Sequence, residues 1–423
     1  MTEAFTNVLS PTNHEYRLRT YSHEVNPSEV SLLRNAAEQI GITLPKDLTG
    51  IQGGGILATS EESSQKVKSE PVENIRAKAI VLGKTAESTE LNAAVHFPTN
   101  KERLEFGANL LAYQGGLGEY LRMHWKPEEV GMNPLQGVIG NTVLEDGRYV
   151  TGIRFRKNYE MLGVSDASGA HELNTRLVTP KDLKHIVRVL NRLHVDSKDF
   201  SQWVEQSGRE LPKESWVHPD NKNVALRGKE WWISPNGDRD RMSELTEQAV
   251  KDADAYAAID PHFDAPQAIR DMIQNNLELF PRQDGSIDNS DLVGNLVVVH
   301  GALHPRNIHI RKDGIQLNVT VSGGDRAQGM GLKGQMVDWL VTSAAGSPQH
   351  QQAILDEFIR LNPSEKDRRG LAMHVLYRSI LEGAWFRSAG KINEANSLTK
   401  LSYDILKGNG IWRSVTSPLA SSK

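Results

Sequence analysis

The chain has 423 residues, 38% hydrophobic and 24% charged, with a formal net charge of −4 and no cysteine. Such a length suits about two or three lobes, and the balance is that of a soluble globular protein without a general basic field for nucleic acid. It excludes disulfides, thiolate catalysis and cysteine-ligated metal, while the short apolar runs and the opening "MTEAFTNVLS" give no membrane span and no secretion signal, so the expectation is cytoplasmic.

Residues 1–27 read as polar and peripheral. Ser28 can cap a helix whose apolar positions Val30, Leu33, Ala36, Ala37 and Ile40 recur at helical spacing, with Gly41 to end it. "LTGIQGGGILAT" then sets two short apolar pieces around Gly53, Gly54 and Gly55, and "NIRAKAIVLG" alternates as a half-buried strand does. A helix is expected from Lys101 to Met123, and residues 137–155 read as a hairpin turning at Asp146-Gly147. Beyond Glu160 the period changes to helical: Thr179 caps, Pro180 opens, and Leu183, Ile186, Val187, Leu190 and Leu193 share a face. Residues 200–290 read as helix and loop. "LVGNLVVV" is a strand, Asp313-Gly314 turns a second hairpin, and the chain from Gln335 to Lys407 is mostly helical. A strand-rich first third before a helix-rich remainder predicts two lobes with a cleft.

The chemistry concentrates in "VVVHGALHPRNIHI" (297–310), an apolar strand, a polar loop and an alternating strand. Loops of that make place reactive groups on a rigid frame. Gly83-Lys84-Thr85 ends like a P-loop, but the glycine required five positions earlier is Lys78, so that reading fails. The Gly53–Gly55 run suits either a phosphate approach or a plain turn. From His300 to Asn307 the loop reads His-Gly-x-Leu-His-Pro-x-Asn, then come a hairpin and the step Val337-Asp338-Trp339. An Asn and an Asp flanking a hairpin can converge on Mg²⁺ as hard oxygen ligands while nucleotide phosphates supply others.

This pattern resembles the aminoglycoside phosphotransferase and choline kinase family of the protein-kinase-like superfamily, whose catalytic loop reads His-Gly-Asp-x-His-x-x-Asn. Ala302 stands where that loop has its Asp. "LNRLH" (190–194) and "MVDWL" (336–340) resemble two further family stretches, and the likeness spans about Leu48 to Leu406. It implies an α+β, two-lobed protein-kinase-like fold. Residues 1–45 would be an extension with one helix, 46–160 a small nucleotide-binding lobe of antiparallel sheet, 161–415 a larger helical lobe and 416–423 a tail. It further implies ATP and Mg²⁺, with Asn307 and Asp338 as metal ligands and Asp325 as the alternative acid. Lys78 would hold the α- and β-phosphates, with Glu105 its helix partner and the Gly53–Gly55 run over the nucleotide. His300 and His304 would build the catalytic loop. The family's later Gly-Asp-Pro-x-x-Asp, whose second acid braces that loop, is here "GSPQHQ", with Ser347 and Gln351 at the acidic positions.

Plainer readings stand beside these. Asp338 equally suits a helix cap, Lys78 a solvent-facing strand position, His194 a packed helix end, and Trp231-Trp232 an anchor. Residues 238–264 hold eight acids against three bases, in keeping with a cationic small-molecule acceptor or simply a solvated face. Alanine has no lone pair with which to accept a hydroxyl proton. The expectation is therefore an ATP-dependent kinase of a small-molecule hydroxyl that lacks its base. The alternative is a natural pseudokinase, a nucleotide-binding regulatory module.

Overall fold

The computed structural model describes residues 27–45, 55–59, 76–98, 104–156, 158–163, 172–216, 241–276, 296–301, 303–322, 324 and 329–413. The chain forms two compact units: one from the chain up to Glu119 with Leu135–Glu160 and Pro212–Ser215, the other from Tyr120–Pro134, Met161–Leu211 and the chain from Trp216 on. The expected α+β division holds, with an antiparallel sheet in the first unit and mostly helix in the second.

In the first unit, helix α1 (Pro27–Gln39) turns at Gly41, φ +75°, into strand β1 (Ile42–Thr43). Strands β2 (Gly55–Thr59), β3 (Arg76–Thr85), β4 (Ala93–Pro98), β5 (Val138–Val143) and β6 (Tyr149–Arg154) join it in one six-stranded sheet. Its order is β1-β3-β4-β6-β5, with β2 also on β3, and every pairing is antiparallel. The apolar stripe of α1 (Leu33, Ala36, Ala37, Ile40) shares one buried core with Ile42, Val81, Val95, Phe97 and Val150. The N-terminal helix, expected as a separate extension, is thus part of the sheet unit. The physical reason is mutual burial, since each fully covered aliphatic side chain contributes roughly 1.5–3 kcal/mol.

Gly83, the glycine of the discarded P-loop tail, has a packing role here. A Cβ there would stand 2.5 Å from Ile42 Cγ2 and 2.9 Å from the Thr43 carbonyl, so β1 lies directly across it. Helix α2 (Leu104–Leu110) continues into a π-helical stretch, Leu111–Leu117, and the Asp146-Gly147 turn forms with Gly147 at φ +88°.

In the second unit, helix α3 (Pro180–Asn191) starts as its sequence predicts. The Thr179 hydroxyl accepts from the Asp182 N–H, and the Asp182 carboxylate accepts from the Thr179 N–H. Helices α4 (Ser197–Ser207), α5 (Arg241–Lys251), α6 (Ala253–Ala257) and α7 (Ala265–Gln274) follow. Strand β7 (Leu296–Val299) pairs with β10 (Gly329–Leu332), and between them β8 (Ile308–Asp313) and β9 (Gln316–Val321) form the second hairpin. Helices α8 (Asp338–Ser343), α9 (Pro348–Leu361), α10 (Glu365–Ser388) and α11 (Ile392–Lys407) close the unit. Arg188 on α3 and Arg360 on α9 both grip the buried Glu357 carboxylate at 2.6 Å. Among the described residues no helix is long and apolar enough to cross a membrane.

Candidate active site

The polar loop hangs between two fixed strands. β7 is held by β10 on one side and by the Val298 N–H on the Val195 carbonyl (3.0 Å), so the end of "LNRLH" lies beside the strand that enters the loop. The chain then reaches His300, fully buried, and turns at Gly301, φ +78°. That angle lies in the left-handed region, which glycine enters at no steric cost. Leu303 is buried beneath the loop, and Pro305–Asn307 make a single 3₁₀ turn closed by the Asn307 N–H on the His304 carbonyl (2.9 Å).

The β8–β9 hairpin brings its own two ends together. Ile308 pairs with Val321, and just beyond them the Ser322 N–H donates to the Asn307 carbonyl at 2.9 Å. His300 Nε2 donates to the Ser322 carbonyl at 3.0 Å, and His309 Nε2 lies 2.9 Å from the Ser322 hydroxyl. The Asn307 amide is held at both ends. Its Nδ2 lies 3.2 Å from His304 Nε2, and its Oδ1 is 3.5 Å from the Ser322 hydroxyl. Burial lowers the His309 pKa to about 4, so that ring is neutral at ordinary pH. Of the three histidines of the stretch, His300 and His309 thus meet Ser322 and His304 meets Asn307.

Asp338 lies behind this loop. It opens α8 at 1% exposure, with Oδ1 accepting the Trp339 N–H (2.6 Å) and Oδ2 paired to Arg378 (3.4 Å). Burial pushes its pKa up to about 6 against the pull of Arg378 and of the Trp339 N–H. The Arg378 guanidinium also lies 3.8 Å from the centre of the Trp339 ring, and Trp339 meets His304 edge-on at 5.5 Å. A continuous set of contacts thus runs from Asp338 and Arg378 through Trp339 to His304 and Asn307. Ser347 and Gln351 are engaged elsewhere: the Ser347 hydroxyl meets His350 Nδ1 at 2.7 Å, and Gln351 donates to the Val341 carbonyl at 3.1 Å.

A cavity of about 370 Å³ is lined in part by Trp339. Its walls include Glu172, Glu382, Glu394, Phe386 and Ser343. Carboxylates beside aromatic faces form a chemistry suited to an ammonium group. Glu172 pairs with Lys391 at 3.7 Å, and three of the acids of residues 238–264 are also engaged. Asp252 pairs with Arg387 at 3.1 Å, Asp264 caps α7, and Asp260 accepts from Tyr403 at 3.2 Å.

In the sheet unit, Lys78 stands on β3 opposite Ala58 and Pro98, and Glu105 is half-buried at the start of α2. Gly55 opens β2 opposite Val81. Gly53, Gly54, Ala302, Asp325, Trp231 and Trp232 lie outside the described residues.

The structure thus gathers His300, His304 and Asn307 around one point. It adds Ser322, His309, Trp339 and Arg378, which the sequence reading did not select. One signal was available, because counting outward from the Asp313-Gly314 turn sets position 322 opposite 307. Nothing comparable in the sequence marks Arg378, which lies forty residues beyond Asp338.

No protein-family model matches the chain, and no curated protein matches it. Among solved structures it is similar to a microcompartment-associated aminopropanol kinase (15% identity, covering 83% of this chain and 98% of that one, TM-score 0.42). It is also similar to the apoenzyme of macrolide 2'-phosphotransferase MphH from Brachybacterium faecium (14%, 88% and 97%, TM-score 0.41). A third is a choline/ethanolamine kinase family protein from Mesorhizobium loti (10%, 85% and 98%, TM-score 0.38).

Proposed function

We propose that the chain is an ATP-dependent phosphotransferase acting on a hydroxyl of a small molecule, in a form whose catalytic-loop acid is replaced by Ala302. The observation that carries this reading is the meeting of His300 and Asn307 with Ser322, and of His304 with Asn307, at the open end of the β8–β9 hairpin. Buried polar groups so densely bonded are costly to assemble and specify one loop conformation.

A divalent cation would take hard oxygens, and the Asn307 amide, with Nδ2 on His304, has its Oδ1 at the hairpin end. We assign the companion ligand to Asp325, because the first acid past Ser322 is three residues on, whereas Asp338 already serves Arg378 and the Trp339 N–H. Asp338 is then the anchor of the loop, acting through Trp339 on His304. Mg²⁺ bound there would shield the charge of the transferring phosphate. Lys78 is assigned to the α- and β-phosphates, with Glu105 as its partner. Ala302 can neither accept nor orient the acceptor's proton, so His300, His304 and Asn307 retain positioning while the base is missing. For the acceptor we favour a small amine-bearing alcohol seated in the cavity of Glu172, Glu382, Glu394 and Trp339.

The deciding experiment is Ala302→Asp, assayed for ATP consumption against a panel of hydroxylated amines, with melting recorded in parallel. General-base catalysis contributes about 10²–10⁴-fold, and a gain of that order with little loss of stability supports the kinase reading. A destabilised and still silent Ala302→Asp protein would instead support a nucleotide-binding regulatory module.

A further inference from the structure

We infer that Ser322, held from behind by His309, is the positioning residue that sets the Asn307 amide for its ligand. The inference rests on the phosphotransferase reading and adds to it a residue outside the His-Gly-x-Leu-His-Pro-x-Asn stretch.

Ser322 is the first residue past β9, and all of its polar groups are used at this one place. Its N–H donates to the Asn307 carbonyl, its carbonyl accepts from His300, and its hydroxyl meets His309 Nε2 at 2.9 Å. The same hydroxyl stands 3.5 Å from both Asn307 oxygens, the carbonyl and Oδ1. A good O–H···O bond is roughly 2.7–2.8 Å long, so this is a long contact, and it limits the rotation of the amide.

The presence of His309 needs its own explanation. It occupies a strand position opposite Thr320, between the buried Ile308 and Ile310. An aliphatic or threonine side chain there would satisfy the hairpin at a lower desolvation cost than an imidazole. With His309 as the Nε2–H tautomer, the Ser322 hydroxyl repays that cost by accepting from the ring. In that tautomer the hydroxyl proton is directed to Asn307, so the orientation passes from His309 through Ser322 to the amide. The other end of the amide is set by His304, which rests on Trp339. Fixing both ends leaves the amide one orientation. Partners of this kind, one shell behind a ligand, typically change metal affinity by about 10–100-fold when removed.

The test uses the full chain with Mn²⁺ as probe, its binding read by electron paramagnetic resonance with and without ATP. ATP binding in the presence of a chelator is measured alongside. Asn307→Ala marks the full loss of the metal-dependent part. Ser322→Ala and His309→Leu are each expected to weaken Mn²⁺ binding about tenfold while leaving metal-free ATP binding within twofold. Ser322→Thr, which keeps the hydroxyl, is expected to bind as the parent does. Should Ser322→Ala fail to fold by circular dichroism, His309→Leu and Ser322→Thr carry the comparison. Parent-like Mn²⁺ binding in both Ser322→Ala and His309→Leu, with binding lost in Asn307→Ala, overturns the role of Ser322 and leaves the metal reading standing. If Asn307→Ala also binds as the parent does, the metal reading fails and this inference fails with it.

Discussion

Asp338 shows how one carboxylate can suit two roles in a sequence, metal ligand or helix cap, and how its surroundings bear on the choice. An acid after an apolar pair and before Trp, downstream of a hairpin, reads as a metal ligand or as a cap. At 1% exposure, with one oxygen on the Trp339 N–H and the other on Arg378, it has the environment of an anchor. Removing one partner of such a buried pair leaves the other charge uncompensated, at a cost of about 3–5 kcal/mol. Asp338→Ala is therefore expected to lower the melting temperature sharply. Asp325→Ala is expected to leave melting nearly unchanged and to abolish the metal-dependent part of ATP binding in calorimetry. The reverse pattern would return the ligand role to Asp338. At this scale the sequence pointed to His300, His304 and Asn307 because their spacing is itself the signal. It did not disclose Arg378, because a contact made across forty residues leaves no local period.

At the scale of elements, local rules set most boundaries. The Thr179/Asp182 capping box starts α3 where the sequence predicts, and the Asp146-Gly147 and Asp313-Gly314 turns form the expected hairpins. Gly83 shows what an element's own sequence leaves out. It lies within β3, yet its lack of a side chain is explained only by the neighbouring strand β1, with Ile42 and the Thr43 carbonyl where a methyl group would stand. Backbone cannot retreat as a flexible side chain can, so overpacking here costs about 1–3 kcal/mol. Gly83→Ala should lower the unfolding free energy by that amount, read from the fall in denaturant midpoint. Gly41→Ala would not serve as a neutral control, because its φ of +75° strains any side chain. Gly346→Ala would serve, because no atom lies within 4 Å of an added Cβ there. A Gly83→Ala protein as stable as the parent would mean that β1 does not pack against β3 in this way.

On the scale of the whole molecule, the helical unit hides ionisable groups that acid will expose. His374 on α10 is 3% exposed, and burial, with Arg378 adding to it, lowers its pKa to about 3. His194 is likewise lowered to about 3, by burial first and then by Lys333. The unfolded chain binds a proton at each of these sites below about pH 6.5, whereas the folded chain does not until near pH 3. Their contribution to stability is therefore fully present above pH 6.5 and is lost progressively as pH falls toward 3. At pH 5 the loss for His374 is about 2 kcal/mol, from 1.36 kcal/mol per unit below its unfolded value. His374→Gln should flatten the fall in stability between pH 7 and 5 by that order, measured as denaturant midpoints. An unchanged slope would mean that His374 takes up its proton equally well in the folded state.

The sequence by itself determined what is written in short-range pattern. It set the helical and strand periods, the caps and turns that bound them, the division into a sheet unit and a helical unit, and the loop from His300 to Asn307. Each depends on residues within about a turn or a hairpin of one another, so spacing is enough. The tertiary structure decided which elements share a core and what each polar group faces. It put α1 into the sheet unit, β1 across Gly83, Arg378 against Asp338, and Ser322 between His309 and Asn307. Those outcomes depend on burial, which is a property of the packed chain as a whole. A carboxylate is buried against an arginine, and a strand histidine held neutral, only once the groups around them have excluded water.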